Sequence, residues 1–189
     1  MVTSYEGDIG RWEDWQRAYR WGALLIRPPD PPLTQVNALR AKLDPRGQSI
    51  CETHISLTIP FPGPLSEAHW RELESIASDI QPFSIHYGPL MNYLPHPGVC
   101  LAIEPQEELD RLRAALEAAS VFEGAPARKY PFSAHMTIAE FISVEQTESL
   151  MGELADLAPK GVFACTALCY VVPDADFHFT ERRRLHLAH

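Results

Sequence analysis

Two short stretches of the chain repeat a pattern of side chains that is suited to acid–base chemistry on a phosphate. Residues 54–57 read His-Ile-Ser-Leu and residues 135–138 read His-Met-Thr-Ile, so each stretch carries a hydroxyl two positions after a histidine. On a β-strand that hydroxyl shares a face with the histidine, about 7 Å further along. Imidazole exchanges protons near neutral pH, and a hydroxyl donates a hydrogen bond to a phosphoryl oxygen. The candidates are His54 and His135 for proton transfer, and Ser56 and Thr137 for phosphate binding.

The two stretches belong to a longer internal repeat. The histidines are 135 − 54 = 81 positions apart, and the same offset relates Ile76 to Leu157 without a gap. Self-similarity at a fixed offset is the mark of a duplicated structural unit. The sequence therefore predicts that each half of the chain supplies one histidine.

The order of periodic segments predicts an α+β fold. A strand-helix-strand-helix pattern, with one additional strand, occurs twice along residues 1–189. We expect a single domain of two pseudo-symmetric lobes, about 21–80 and 97–161, related by a pseudo-twofold axis. Segments 82–94 and 162–187 would complete the sheets, and the two histidine strands would line a central cleft.

Three local expectations accompany this fold. Residues 50–59 are predicted to form the first histidine strand, with Thr58 on the same face as the histidine and the serine. Residues 162–172 form a long apolar run that favours one continuous strand. Residues 1–20 form an N-terminal extension in which tryptophan and tyrosine recur at helical spacing, which predicts a short helix that could cover part of the cleft.

Composition limits the partners and the compartment. The formal net charge of −9, from 25 acidic and 16 basic residues, does not fit a protein that grips long duplex nucleic acid. The four cysteines show no CxxC pair and no zinc-ligand spacing, so we expect reduced core residues and no metal site. No apolar run is long enough to cross a membrane, and Met1 to Asp8 do not resemble a secretion signal. We expect a cytoplasmic monomer that does not bind membranes.

The loop before the second histidine carries further candidates for substrate contact. They are Arg128, Lys129, Tyr130 and Phe132. The two cations and Tyr130 fit a phosphate contact as well as a solvated loop rim. Phe132 fits a base-stacking role, and also an ordinary core aromatic at the start of a strand.

The two motifs together resemble the HxTx motifs of the 2H phosphoesterase superfamily. The similarity spans roughly residues 21–189 and is most specific in the His-Ile-Ser-Leu stretch and in the run from Pro131 to Ala139. Within that superfamily the chain looks most like the 2′-5′ RNA ligase-like cyclic phosphodiesterases. Ser56 stands where threonine is common and keeps the hydroxyl, whereas residues 1–20 have no counterpart in the family pattern.

The resemblance implies a metal-independent phosphodiesterase that uses no cofactor. It would hydrolyse 2′,3′-cyclic phosphates of RNA ends or nucleotides, with one histidine as base and the other as acid. A 2′-5′ RNA ligase, a 2′-5′ oligonucleotide phosphodiesterase and a non-catalytic nucleotide- or RNA-binding module remain as alternatives. The implied partner is a small nucleotide or an RNA terminus that carries a cyclic phosphate.

Overall fold

The computed structural model describes residues 4–93, 96–128 and 130–188. The strands are β1 Ala23–Ile26, β2 Ile55–Ser56, β3 Phe83–Asn92, β4 Val99–Glu104, β5 His135–Ala139, β6 Gly161–Cys165, β7 Ala167–Pro173 and β8 Phe179–His186. The helices are α1 Asp14–Arg17, α2 Pro32–Leu43, α3 Pro45–Ile50, α4 Glu67–Ser78, α5 Gln106–Glu117 and α6 Val144–Leu154, with a short 3-10 helix at Ser120–Phe122. The predicted α+β class is confirmed.

All eight strands belong to one antiparallel sheet. Its order is β6-β3-β4-β5-β2-β1-β7-β8, so the two histidine strands, β2 and β5, are neighbours at the centre. The strand that opens each half of the chain lies directly outside its histidine strand, β1 beside β2 and β4 beside β5. The arrangement follows the predicted duplication of strand order, whereas the pseudo-twofold axis and the lobe boundaries stay predictions.

One face of the sheet carries the hydrophobic core. On β5, Met136 and Ile138 are fully buried while the residues between them are partly exposed, as strand alternation requires. Helix α4 covers this face with an apolar stripe that includes Trp70 and Leu73, and it begins at Ser66, whose side chain accepts a hydrogen bond from the third residue of the helix. The core therefore leaves the opposite face of the two central strands open.

The first histidine strand is much shorter than predicted. Strand β2 has only two residues; helix α3 ends at Ile50, and residues 51–54 between the two belong to no helix or strand. Thr58, expected on the open face, is 5 % exposed and its hydroxyl accepts a hydrogen bond from the backbone N–H of Leu24. The backbone N–H of Thr58 in turn donates to the Leu24 carbonyl, so the chain turns inward after Ser56 and the alternation ends there.

The apolar run at residues 162–172 is two strands instead of one. It divides at Thr166, where β6 leaves to pair with β3 at one edge of the sheet and β7 pairs with β1 and β8 near the other. Continuous hydrophobicity does not reveal the break, because both strands bury apolar side chains. Strand β7 pairs with β8 from Ala167 to Pro173.

The N-terminal extension contains the expected short helix, α1, and packs on the body of the protein. The Trp12 ring is 4 % exposed, and its indole N–H donates to the Ala175 carbonyl at 3.1 Å. Tyr5 bonds through its hydroxyl to the backbone N–H of Leu65. Among the described residues, no helix has both the length and the apolar character needed to cross a membrane.

Candidate active site

The pairing of β2 with β5 brings the four predicted residues together. Ile55 and Met136 are partners across the two strands, so the antiparallel register places His54 beside Thr137 and Ser56 beside His135. The side chains of Ile55 and Met136 are buried in the core, so the four motif residues share the opposite, open face of the two strands. Each histidine thus lies diagonally from the other, about 7–8 Å apart at the level of the backbone. A phosphate group fits between such a pair of imidazoles.

Each imidazole is held by the same local hydrogen bond. His54 Nδ1 lies 2.7 Å from the carbonyl oxygen of Glu52, and His135 Nδ1 lies 2.8 Å from that of Ser133. A carbonyl only accepts, so Nδ1 carries the proton in both rings. Nε2 is therefore the ring nitrogen that remains available to a substrate, as a lone pair in the neutral ring or as a donor in the protonated ring.

The two hydroxyls differ in exposure but not in availability. Ser56 is exposed and Thr137 is partly buried. Within the described part of the chain, neither hydroxyl is hydrogen-bonded to another protein group. Both are free to donate to an oxygen placed between the histidines.

A buried arginine lies beneath this group and was not predicted. Arg40, on α2, is 1 % exposed; it donates from Nη1 to the Thr137 carbonyl at 2.9 Å and from Nη2 to the Cys51 carbonyl at 3.1 Å. It therefore ties the two motif segments together from below. The signal in the sequence was its position four residues after Val36, on the apolar side of the helix, where a charged residue needs a partner.

Both histidines favour the neutral form. Burial lowers the pKa of His54 to about 3, with further lowering from the positive charge of Arg40 and from His135. Burial also lowers the pKa of His135, although its bond to the Ser133 carbonyl acts in the opposite direction. An anionic phosphate between the rings would stabilise the imidazolium form and so raise the pKa of each histidine.

A carboxyl group also faces the site. Glu140 follows β5, and its pKa is raised mainly by burial, against the lowering effect of Arg40. Its backbone N–H donates to the Asp44 carboxylate at 3.0 Å, and Asp44 also accepts from the backbone N–H of Gly47. Asp44 thereby joins the start of α3 to the end of β5.

Two cavities meet at His135 and Thr137. The first, which we call the histidine cavity, has a volume of about 180 Å³ and is lined by all four motif residues together with Arg40. The second, which we call the Tyr93 cavity, has a volume of about 390 Å³ and is shared with His135 and Thr137. The ring of Tyr93 lies 4.3 Å from that of His135, centre to centre. A substrate bound at the histidines therefore has room on both sides.

The loop residues proposed for substrate contact lie elsewhere. Arg128 donates to the Leu57 carbonyl and to Glu117, both at 2.6 Å, and its guanidinium lies 5.2 Å from the centre of the Phe132 ring. Tyr130 is 52 % exposed, with its ring edge against His96. None of these three lines either cavity. Lys129 lies outside the described residues, and a substrate contact by any of the four stays a prediction.

The donor groups of the described chain do not form a metal-binding cluster. Across residues 4–93, 96–128 and 130–188, no group of three or more histidine, cysteine, aspartate or glutamate side chains is placed to hold a metal ion. The cysteines in the structure are free thiols, and burial raises the pKa of Cys51 to about 12. The polar groups that line the histidines' surroundings thus include two imidazoles, the two motif hydroxyls, a guanidinium, a carboxyl, the Tyr19 phenol and the Cys51 thiol.

Comparison with known proteins places this arrangement among characterised folds. The family model of the 2′-5′ RNA ligase superfamily matches residues 28–177. A Bacillus cytotoxicus protein named for an inferred phosphoesterase activity is 28% identical over 134 residues, which cover 69% of this chain and 76% of that protein. A Bacillus cereus protein with the same kind of name matches with the same identity and coverage.

Solved structures share the fold at lower identity. Escherichia coli LigT in complex with 3′-AMP superposes with a TM-score of 0.62 at 18% identity, covering 88% of this chain and 97% of LigT. The Thermus thermophilus protein TT0787 superposes with a TM-score of 0.56 at 15% identity, covering 87% of this chain and 96% of that protein. Other LigT structures contain ATP, NADP+ or phosphate.

Proposed function

The chain belongs to the 2′-5′ RNA ligase superfamily, and from that premise we propose that it is a metal-independent phosphodiesterase that hydrolyses 2′,3′-cyclic phosphates. The substrate is a nucleotide or an RNA end, held with its phosphorus between His54 and His135. Its family and its relatives' names support an enzyme acting on phosphoesters. The cyclic phosphate is our inference from the chemistry of the four side chains.

One observation carries the proposal, the matched tautomers of the two histidines. In both rings Nδ1 is hydrogen-bonded to the carbonyl two residues earlier in the chain, so Nε2 remains available for proton transfer. In-line displacement at phosphorus needs a proton removed on one side and a proton supplied on the other. Two imidazoles at diagonal corners of one site fit that need.

The proposed reaction balances without a further reactant. A neutral imidazole takes a proton from water as the water oxygen attacks phosphorus. The bond from phosphorus to one ribose oxygen breaks, and the other histidine, as imidazolium, gives its proton to that oxygen. The product is a ribose phosphomonoester, and the two rings then exchange protons with solvent to restore their starting states.

The two hydroxyls and the arginine would stabilise the negative charge on the phosphoryl oxygens. Ser56 and Thr137 donate hydrogen bonds to the non-bridging oxygens, where negative charge must be stabilised in the transition state. Arg40 contributes a fixed positive charge below them and holds the Thr137 carbonyl. Because the pKa values of both histidines are lowered, we infer that a bound phosphate raises the pKa of the acid.

The test is an assay of the purified protein on 2′,3′-cyclic mononucleotides and on an oligonucleotide that ends in a 2′,3′-cyclic phosphate. We expect a phosphomonoester product from both, at equal rates with and without EDTA. A His54→Ala/His135→Ala double variant is the control for contaminating activity. Activity that disappears with EDTA and returns with a divalent metal would contradict the mechanism, and absence of hydrolysis would contradict the function.

Ligation is the second candidate, because the family model takes its name from 2′-5′ RNA ligases. The same four side chains would serve it, since forming a 2′-5′ bond from a cyclic phosphate replaces the attacking water by a ribose hydroxyl. Incubation of the cyclic-phosphate oligonucleotide with an acceptor that has a free 5′-hydroxyl end separates the two. A joined product that exceeds the hydrolysed one would favour the ligase.

A further inference from the structure

We infer that the histidine cavity contains a nucleobase subsite built by an aromatic wall on its far side. The wall consists of Trp15, Tyr19, Phe141, Phe177 and Phe179, all of which line the cavity together with the four motif residues. This inference rests on the proposed function, which places the substrate phosphate between the histidines. It adds that the rest of the cavity binds the nucleobase of the same substrate.

The wall comes largely from segments outside the family pattern. The family match covers residues 28–177, so Trp15 and Tyr19 precede it and Phe179 follows it. The N-terminal extension, whose role the sequence left open, thus contributes directly to the cavity that holds the histidines. It is held there by the buried Trp12 and by a salt bridge of 3.2 Å between Glu13 and Arg46.

Two rings of the wall present open surface. Trp15 is 41% exposed and Phe141 is 48% exposed, with their ring centres 6.3 Å apart. The indole N–H of Trp15 already donates to Glu13 at 2.7 Å, so its polar group is satisfied and its ring is left for contact. Arg46 lies 4.4 Å from the centre of the Phe141 ring and fixes it by a cation–π contact. These rings are oriented before any ligand arrives.

Backbone strain is concentrated in the same wall. Phe141 has φ 58° and Phe177 has φ 64°, and in the described chain they are the two residues other than glycine with positive φ. A bulky side chain is costly in the left-handed region, where glycine or asparagine is preferred. Strain of this kind persists where the surrounding structure over-determines it, and it concentrates at ligand sites. That both strained residues are phenylalanines of one cavity points to a role for their rings.

The chemistry of the cavity selects the class of ligand. The cavity combines imidazoles, hydroxyls and a buried guanidinium, which suit a phosphoryl group, with a cluster of contacting aromatic rings and several aliphatic side chains. A nucleotide joins a phosphate to a planar ring through a ribose of short reach. Stacking of a base on an aromatic side chain is worth about 1–3 kcal/mol and tolerates any base. We therefore assign the wall to the nucleobase, without preference among the four bases.

The direct test is binding of 2′-AMP, measured by calorimetry on variants of the full chain. Trp15→Ala should weaken binding by about 5- to 150-fold, the fold-change that corresponds to one lost base stack. Trp15→Phe keeps a ring and should bind within about threefold of the wild type. Phe141→Asn removes the second ring while placing a residue that tolerates positive φ, so it should weaken binding without loss of thermal stability. Leu157→Ala, at an exposed apolar residue outside the cavity, is the matched control.

A base-free probe separates stacking from damage to the phosphate site. Trp15→Ala should raise the KM for 2′,3′-cyclic AMP with little change in kcat, and should leave the kcat/KM for the 2,3-cyclic phosphate of methyl riboside unchanged. Equal losses on both substrates would mean that the wall only supports the fold, and would overturn the inference. So would 2′-AMP binding by Trp15→Ala at the wild-type affinity.

The binding arm also keeps the two proposals distinguishable. A protein that binds 2′-AMP through Trp15 but hydrolyses no cyclic phosphate would refute the proposed function and leave the base subsite standing. If the Trp15→Ala variant hydrolysed both cyclic substrates as well as the wild type does, the proposed function would stand and the base subsite would be refuted.

Discussion

His54 immediately precedes the two-residue strand β2 and lies near the buried Arg40, whereas His135 begins the five-residue strand β5 and has the ring of Tyr93 against it. The first histidine is the more strongly shifted, because burial and a nearby positive charge both lower its pKa. The second is shifted by burial and partly restored by its carbonyl bond. Duplicated motifs have thus acquired different electrostatic surroundings.

What the two regions keep in common is the local geometry. Each histidine shows the same Nδ1 bond to the carbonyl two residues earlier, and each lies beside the hydroxyl of the other motif. The comparison shows that the two motifs hold their ring nitrogens in the same way, while different neighbours act on the two pKa values. In the proposed mechanism such a difference would separate the base from the acid.

The largest effects should follow from removing either imidazole. His54→Ala and His135→Ala should each lower kcat by about 10²- to 10⁴-fold, because each removes one proton transfer. The double variant should be far less than multiplicatively worse, since the two act as one unit. His86→Ala, an exposed histidine on β3 outside both cavities, should keep the wild-type rate. A His135→Ala variant at full rate would break the comparison outright.

Next in size are the hydroxyls. Ser56→Ala and Thr137→Val should each lower kcat by about 10- to 10³-fold, as each removes one donor to the phosphoryl oxygens while both proton transfers survive. Ser56→Thr should retain activity, because it keeps the hydroxyl and makes the two motifs alike. Single-turnover rates on 2′,3′-cyclic AMP measure these changes. Loss of activity in Ser56→Thr equal to that in Ser56→Ala would contradict phosphate binding by this residue.

Replacing Arg40 should show which histidine acts as the base and which as the acid. Arg40→Met removes a positive charge that lowers the pKa of His54, so the limb of the pH–rate profile that belongs to His54 should move to higher pH. The limb of His135 should stay in place. If the acidic limb moves, His54 is the base; if the alkaline limb moves, His54 is the acid.

Arg40→Lys is the control because it keeps the charge, so neither limb should move with it. Both variants lose donors to buried carbonyls and should be less stable by about 1–3 kcal/mol, measured by denaturant unfolding.

In the wild type, the lowered pKa values of the two histidines place the alkaline limb of the kcat/KM profile below pH 6.5. The corresponding limb of the kcat profile should lie at higher pH, because bound phosphate favours the imidazolium. Coincident limbs in the two profiles would argue against that effect.

The smallest expected effect lies at the neighbour of His135. Tyr93→Ala removes the ring that packs on the imidazole at 4.3 Å and should lower kcat by about 2- to 10-fold, through a less well-oriented ring. Tyr93→Phe keeps the packing and should behave as the wild type. If the phenylalanine variant also loses activity, the Tyr93 hydroxyl has a role of its own.

Local pattern was sufficient for much of the site. Alternation in His-Ile-Ser and His-Met-Thr assigns the open and buried faces, because the period of a strand is fixed by its backbone. The repeat at an offset of 81, from 135 − 54, predicted that the two strands play equivalent parts.

Local pattern failed where distant segments compete for one backbone. Only Ile50 of the strand expected at 50–59 lies in α3; residues 51–54 belong to no strand, and after Ser56 the chain turns inward at Thr58, which bonds to Leu24. The apolar run at 162–172 divides between two edges of the sheet because each part meets a different partner. In both places the expected and the observed arrangement bury the apolar side chains, so the hydrophobic pattern does not distinguish between them.

The sequence by itself predicted the four side chains of the candidate site and the face of each strand that they occupy, since both predictions follow from residue type and backbone period. Only the tertiary structure decided that Ile55 pairs with Met136, which sets His54 beside Thr137, and that Arg40 reaches the carbonyls of both motif segments. It also placed Trp15 against the same cavity. These are contacts between segments far apart in the chain, and strand period and residue type carry no information about register or partner across such a separation.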